Sequence, residues 1–317
     1  MVSKHFSFDN FEKLGQQKLG EIKSKLGLIV TDYDETLRSR VYPDFTDILA
    51  IDLIKKALQR CPLIITTARA ATAIKLFLPF FSEKTIKFPH HRFFLAGGNG
   101  RMLYEITNGY LKQIYDHGLT AKDVKSILEV YVNAVEHLNI QTDELLPRGL
   151  ETYHRIISQN WDGIIPTEIF EQCLKYAGRI FTEKAKVGLV RALDDRRNLA
   201  LISHLSVNFD RNYPDEFQLI EGDVDIHIVK KLPEDGKVAA VKTVINLLRI
   251  KPEHVATFGD LPEGNDRELL TSFPFSFTNA VDFCQKKADP IAPPFLLPGA
   301  SDSPIGCVHR AINFLIQ

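Results

Sequence analysis

The run Leu28-Ile29-Val30-Thr31-Asp32-Tyr33-Asp34-Glu35-Thr36-Leu37 carries a short apolar stretch directly into two carboxylates one residue apart. A short apolar stretch without alternation reads as a strand covered on both faces, and such strands belong to parallel sheets flanked by helices. Residues i and i+2 of an extended strand point to the same side, so Asp32 and Asp34 can converge on one reactant or one metal ion. Two like charges at the exposed end of a buried strand repel and lose hydration, a cost that a cation or a bound substrate offsets. The pair is the first candidate catalytic site.

Residues 63–67, 93–96 and 255–259 are short and apolar in the same way, and the last again runs into a carboxylate, Asp260. Between the first two strands, residues 48–59 place Ile51, Ile54 and Leu58 at helical spacing, the crossover of a βαβ unit. Beyond Gly97-Gly98-Asn99-Gly100 the pattern changes, with residues 102–106 and 110–115 flanking Asn108-Gly109, a hairpin signal. A helix is expected over 121–137, followed by strands at 155–157, 186–190, 199–203 and 224–229 and a helix near 167–177. The first pattern then returns: Gly236-Lys237 opens a helix with Val238, Val241, Ile245 and Leu248 on its apolar side. The expected class is therefore α/β, a Rossmann-like core with a parallel sheet over residues 1–116 and 230–317, interrupted by an inserted α+β domain over 117–229.

The 317 residues are 44% hydrophobic and 25% charged, enough for two packed domains. A formal net charge of -1 gives no global field for nucleic acid or an anionic membrane, so neither is expected as a partner. No apolar run approaches the roughly 20 residues of a membrane helix, and Met1-Val2-Ser3-Lys4-His5-Phe6 lacks a signal peptide's apolar segment. Cys61, Cys173, Cys284 and Cys307 form no CxxC pair and read as reduced thiols, and a cytoplasmic location is expected. The histidines, His90-His91 included, show no metal-ligand spacing.

Along the chain stand Asp32-Tyr33-Asp34-Glu35-Thr36-Leu37, then Thr66-Thr67-Ala68-Arg69, Asn99-Gly100, Gly236-Lys237, and Gly259-Asp260 with Asn265-Asp266. Thr278-Asn279-Ala280 and Lys287-Ala288-Asp289 close the series. In this order the segments resemble the haloacid dehalogenase-like superfamily of phosphotransferases, in particular its Cof-like sugar phosphatases (class IIB), whose C2-type cap is inserted between the second and third motifs. Trehalose-phosphate and sucrose-phosphate phosphatases and phosphomannomutases share this layout. The resemblance implies Mg²⁺-dependent hydrolysis of a small phosphorylated metabolite, a sugar phosphate first, beneath a cap that excludes water.

Under that resemblance Asp32 is the nucleophile and Asp34 the general acid and base, its main-chain carbonyl also a metal ligand. Thr67, with the amides of Ala68 and Arg69, and Lys237 would bind the phosphoryl group, and Asp260 would hold Mg²⁺. The usual fourth motif, Gly-Asp-x-x-Asn-Asp, is lengthened here to Gly259-Asp260-Leu261-Pro262-Glu263-Gly264-Asn265-Asp266, so the second acidic member is Asp266, with Glu263 or Asn265 as alternatives. Thr67 also reads as a helix N-cap. Lys184, Lys186, Arg191 and Arg197, near Asp194-Asp195, read as a solvated loop, or as readers of an anionic substrate if they face the core. Two other functions stay open: a phosphomutase, and a catalytically silent protein whose cap engages a protein partner.

Overall fold

The computed structural model of the chain describes residues 8–39, 43–69, 91–107, 110–141, 181–183, 186–190, 194–221, 225–287 and 291–317. From the N-terminus run α1 (Phe8–Lys23), β1 (Leu28–Asp32), α2 (Pro43–Ala57), β2 (Leu63–Thr66), β3 (Phe93–Gly97), β4 (Met102–Thr107) and β5 (Tyr110–Asp116). Then follow α3 (Ala121–His137), β6 (Phe181–Glu183), β7 (Lys186–Val190), α4 (Asp195–Asn212), β8 (Phe217–Glu221) and β9 (Asp225–Lys230). The chain continues through α5 (Gly236–Leu248), β10 (Val255–Gly259), α6 (Arg267–Ser272), β11 (Phe275–Thr278), α7 (Val281–Lys286), β12 (Phe295–Leu296) and α8 (Pro304–Ile316). It divides into two compact units, Met1–Asp116 with Glu234–Gln317, and His117–Pro233.

In the first unit eight strands among the described residues form one sheet, ordered β12-β11-β10-β1-β2-β3-β4-β5. Pairing is parallel from β12 to β3 and antiparallel across β3, β4 and β5. Every residue of β1, β2, β3, β10 and β11 is buried, which is why these strands read as continuous apolar runs. Alternate side chains go to opposite faces. Ile29, Ile65, Leu95 and Phe258 pack against Leu19 of α1, Leu53 and Ile54 of α2 and Ile312 of α8. Leu28, Val30, Ile64 and Phe94 meet Ala240, Val241 and Val244 of α5 on the other face. Successive strands run outward from β1 in one direction through β2 and β3, and later strands run in the other through β10 and β11. The chain order therefore reverses between β1 and β10, the position where open α/β sheets leave a crevice at their carboxyl ends.

The second unit has a four-stranded antiparallel sheet among the described residues, ordered β6-β7-β9-β8. Ile127, Tyr131 and Val135 of α3 and Leu201, Leu205 and Phe209 of α4 share its core with Ile226 and Ile228 of β9. Residues 199–203, expected as a strand, lie inside α4, and the charged run expected as a loop opens that helix. The reason is local: the Asp194 side chain accepts the Arg197 amide as an N-cap, and the buried positions Asn198, Leu201, Leu205 and Phe209 recur at helical spacing. A five-residue window sees only the apolar stretch and not that longer period. The Asn108-Gly109 turn, the strand at 155–157, the helix at 167–177, and His90, Cys173, Lys184, Arg191, Ala288 and Asp289 lie outside the described residues.

Helix α3 begins with a reciprocal cap. The Asp123 amide donates to Thr120 Oγ1 over 3.2 Å, and the Thr120 amide donates to Asp123 Oδ2 over 2.6 Å. Lys230, the last residue of β9, donates to Asp123 Oδ1 over 2.8 Å, so one carboxylate ties the start of the helix to the end of a strand. Burial pushes the Asp123 carboxyl up, but its bonds with Lys230 and Thr120 outweigh burial and hold it below its ordinary 3.8. A depressed folded pKa stabilises the fold fully above the unfolded value and loses that contribution as pH falls through the folded value. Asp123→Ala is expected to cost the second unit about 1 kcal/mol in urea unfolding at pH 7. The wild-type advantage should fade as the pH is lowered below about 4, and a cost independent of pH down to 2 would refute the carboxylate's part.

Candidate active site

The carboxyl ends of β1, β2 and β10 lie side by side. Asp32 is the last residue of β1 and stands in register with Thr66 of β2, while Asp260 directly follows β10. Ligand oxygens of Asp32, Asp260 and Asp266 all lie within 4.8 Å of one another. Lys237, with no exposed side-chain surface, donates from Nζ to Asp32 Oδ1 over 2.7 Å and to Asp266 Oδ1 over 2.5 Å. Four chemistry-bearing residues from three distant parts of the chain thus share one buried spot.

Charge explains the electrostatics. Burial penalises the Lys237 ammonium, but the charges of Asp266 and Asp32 outweigh it and hold the pKa above the usual lysine range. Burial also pushes Asp32 well above the ordinary carboxylate range, against the pull of Lys237 and with added repulsion from Asp266 and Asp260. Asp260 is pushed up to about 7 by burial and by the Asp266 charge, although Thr36 Oγ1 donates to its Oδ1 over 3.0 Å. Three carboxylates facing one ammonium leave a surplus of negative charge in a poorly hydrated place. Hard oxygen donors with such a surplus fit a divalent cation of the Mg²⁺ kind.

Several local devices hold these groups. Gly100 has φ +77°, and a Cβ there would lie 2.0 Å from the Gly236 carbonyl oxygen, so the turn after β3 touches the first residue of α5 backbone to backbone. Arg101, fully buried, donates from Nη1 to the Asn99 carbonyl over 2.7 Å beneath that contact. Asp235 caps α5 by accepting the Val238 amide, which places Lys237 in the first helical turn. A cation there opposes the helix dipole and depends on its anionic neighbours. After β1 the chain reverses through Glu35, at φ +59°. Asn279 Nδ2 donates to the Glu35 carbonyl over 3.1 Å, and His309 Nε2 lies 2.8 Å from the Leu37 carbonyl, fastening this turn to β11 and α8.

Asp34 is not a member of the carboxylate cluster. Arg69 donates to both of its oxygens, from Nε over 2.8 Å and from Nη2 over 2.6 Å, and Arg38 Nη1 stands 3.7 Å from Oδ1. The Thr67 hydroxyl accepts the Arg69 amide over 3.1 Å, the bond of an N-cap or a turn, with half-buried Ala68 between them. Thr66 Oγ1, which sequence reasoning passed over, lies 3.5 Å from Asp32 Oδ1. In the lengthened fourth motif the turn from Leu261 brings Asp266 back to accept the Leu261 amide at Oδ2, while Glu263 is exposed and does not join the carboxylate cluster, and Asn265 is half-buried. Thr36 belongs to the first motif and Thr66 opens the second, but their partners Asp260 and Asp32 follow from a turn and from strand register, which the sequence does not mark. Arg197 is exposed, with Nη1 3.4 Å from the Asn139 carbonyl within the second unit.

The family profile of the haloacid dehalogenase-like hydrolases matches residues 29–294, and the chain belongs to that family. No curated protein matches it. Among solved structures it is similar to N-terminally truncated IMP-nucleotidase of Plasmodium falciparum, 17% identical, with 98% of this chain and 76% of that one covered at a TM-score of 0.57. It is also similar to another structure of that nucleotidase, 15% identical, covering 96% and 67% at a TM-score of 0.56. A protein of Eubacterium rectale is 14% identical, covering 90% and 99% at a TM-score of 0.51. At these identities the likeness concerns the fold. Among the described residues no helix is long and apolar enough to cross a membrane.

Removing the ammonium would leave Asp32, Asp260 and Asp266 mutually repelling. Lys237→Met is expected to destabilise the protein by about 3–5 kcal/mol in urea unfolding with chelator present. A loss below about 1 kcal/mol would show that the carboxylates do not need their cation.

Proposed function

We propose that the chain is a Mg²⁺-dependent phosphoric monoester hydrolase acting on a small phosphorylated metabolite through an aspartyl-phosphate on Asp32. The observation that carries this reading is the cluster of Asp32, Asp260 and Asp266 around Lys237, at the sheet's point of reversal, in a chain of the haloacid dehalogenase-like family.

A phosphate monoester is anionic and repels a carboxylate. Lys237 lies against Asp32 and holds its oxygen in place while offering positive charge to the arriving phosphoryl group. Asp32 Oδ attacks phosphorus, the bond from phosphorus to the leaving oxygen breaks, and Asp34 gives that oxygen its proton. Asp34 then takes a proton from water, which attacks the aspartyl-phosphate, releases orthophosphate and restores Asp32. Thr67 and the Ala68 amide, at the end of β2, bind phosphoryl oxygens in this reading, the Arg69 amide being engaged by Thr67 Oγ1. Asp32 and Asp260 would hold Mg²⁺, with the Asp34 main-chain carbonyl and Asp266 completing the set. The metal supplies charge neutralisation on the phosphoryl oxygens.

A sugar phosphate is the first substrate class. A nucleoside monophosphate is the second, favoured by the likeness to IMP-nucleotidase over 98% of this chain. A cytoplasmic setting belongs to the same reading and is supported by the free, buried thiols of Cys61, Cys284 and Cys307.

Phosphate release from sugar phosphates, IMP and an aryl phosphate, with and without Mg²⁺, tests the proposal. Metal-dependent release, lost in Asp32→Asn, is expected. An isomeric sugar phosphate formed with little free phosphate would instead identify a mutase. Independently of turnover, Mg²⁺ at about 100 times its Kd should stabilise the fold by about 2.7 kcal/mol. Asp260→Asn should remove most of that gain in thermal melts, and a gain that survives the substitution would move the metal site elsewhere.

A further inference from the structure

Both oxygens of Asp34 are taken up by one guanidinium, with Arg69 Nε at 2.8 Å from Oδ2 and Nη2 at 2.6 Å from Oδ1. A two-point pair of this kind is strong and geometrically fixed. A guanidinium has donors and no acceptor, and a two-point pair fills the syn lone pair of each oxygen, the place where a carboxylic acid prefers to carry its hydrogen. A group that exchanges a proton with Asp34, the leaving oxygen or the attacking water, must itself hydrogen-bond to one of these two oxygens. Each oxygen keeps one further lone pair for such a bond, but Asp34 cannot carry the proton in its preferred place while both Arg69 bonds are made, so at least one of them has to open.

Burial shows which partner is placed to move. The Arg69 side chain is 32% exposed, against 14% for Asp34 and 9% for Arg38. The Arg69 backbone is tied on both sides, its amide to Thr67 Oγ1 over 3.1 Å and its carbonyl to the Gly98 amide over 2.8 Å, so the side chain swings from a fixed root. That root lies at the carboxyl end of β2, three residues after the partner of Asp32 in the strand register. Phosphoryl oxygens delivered to Asp32 would give the guanidinium a second anionic acceptor. Arg38, close to Asp34 Oδ1, keeps a positive neighbour beside the carboxylate when Arg69 leaves.

We infer that Arg69 is a positioning residue that latches Asp34 in the resting protein and releases it when an anionic substrate group supplies a replacement partner. The inference rests on the reading of Asp34 as the proton-transfer group. It makes the latch a filter: a neutral molecule entering the site offers nothing to draw Arg69 away, and Asp34 stays engaged.

Leaving-group dependence tests it. An alkyl phosphate needs a proton on its leaving oxygen during transfer to Asp32, an aryl phosphate with an acidic phenol does not, and kcat/KM reports that first step. In Arg69→Gln, checked for folding by thermal melting, the ratio of alkyl to aryl kcat/KM is expected to rise about tenfold, the worth of one charge-assisted hydrogen bond no longer to be broken. Arg69→Lys, which cannot form the two-point pair, should shift the ratio the same way and carries the comparison if the glutamine variant fails to fold. A merely structural arginine, or a simple phosphate ligand, would lower both values and leave the ratio unchanged or reduced, and that result overturns the latch alone. If wild-type protein turns over neither substrate, the hydrolase reading and the latch fall together.

Discussion

The Lys237 ammonium, wholly buried between Asp32 and Asp266, is the interaction on which the rest of the site depends. A lysine can be buried charged only where anions surround it, and carboxylates can gather out of water only around a cation. Each therefore makes the other tolerable, and together they pin three segments: the end of β1, the first turn of α5 and the turn following β10. The pinned parts are far apart in sequence, Lys237 lying 205 positions from Asp32 and 29 from Asp266. Burial, with the mutual repulsion of the carboxylates added to it, lifts Asp260 and Asp32, and the surplus of negative charge makes the cluster fit a divalent cation.

The scaffold makes that gathering geometrically cheap. Parallel strands covered by helices on both faces present all their carboxyl ends on one edge, and the reversal of strand order between β1 and β10 leaves that edge open. Contacts away from the chemistry set its precision. Gly100 against Gly236 fixes where α5 starts, and Asn279 with His309 fixes the turn after β1 that carries Asp34, Glu35 and Thr36. None of these four residues is itself a carboxylate or an amine of the cluster, yet a shift in any one would move a charged group.

Much of this is legible in the amino-acid sequence. The core strands read correctly because double burial makes them continuously apolar, and the same pattern placed a carboxylate at the end of β1 and another just past β10. The element misread, residues 199–203 in α4, has an apolar stretch of strand length inside a helical period set by Asn198, Leu201, Leu205 and Phe209. The lengthened fourth motif left Glu263, Asn265 and Asp266 as alternatives on spacing. The turn at Leu261 returns Asp266 to the cluster and leaves Glu263 in solvent, a matter of backbone hydrogen bonding that spacing does not encode.

The chain by itself determined the α/β class, the order of the segments and the acidic and basic residues available for the site, because burial periodicity and residue chemistry are local properties. Partnership was decided only by the tertiary structure. That Arg69 closes on Asp34, that Thr36 reaches Asp260, and that Thr66 stands beside Asp32 follow from strand register and turn geometry. The physical reason is that a charge's state and role depend on what lies within a few ångströms of it, and those neighbours come from residues that folding alone brings together.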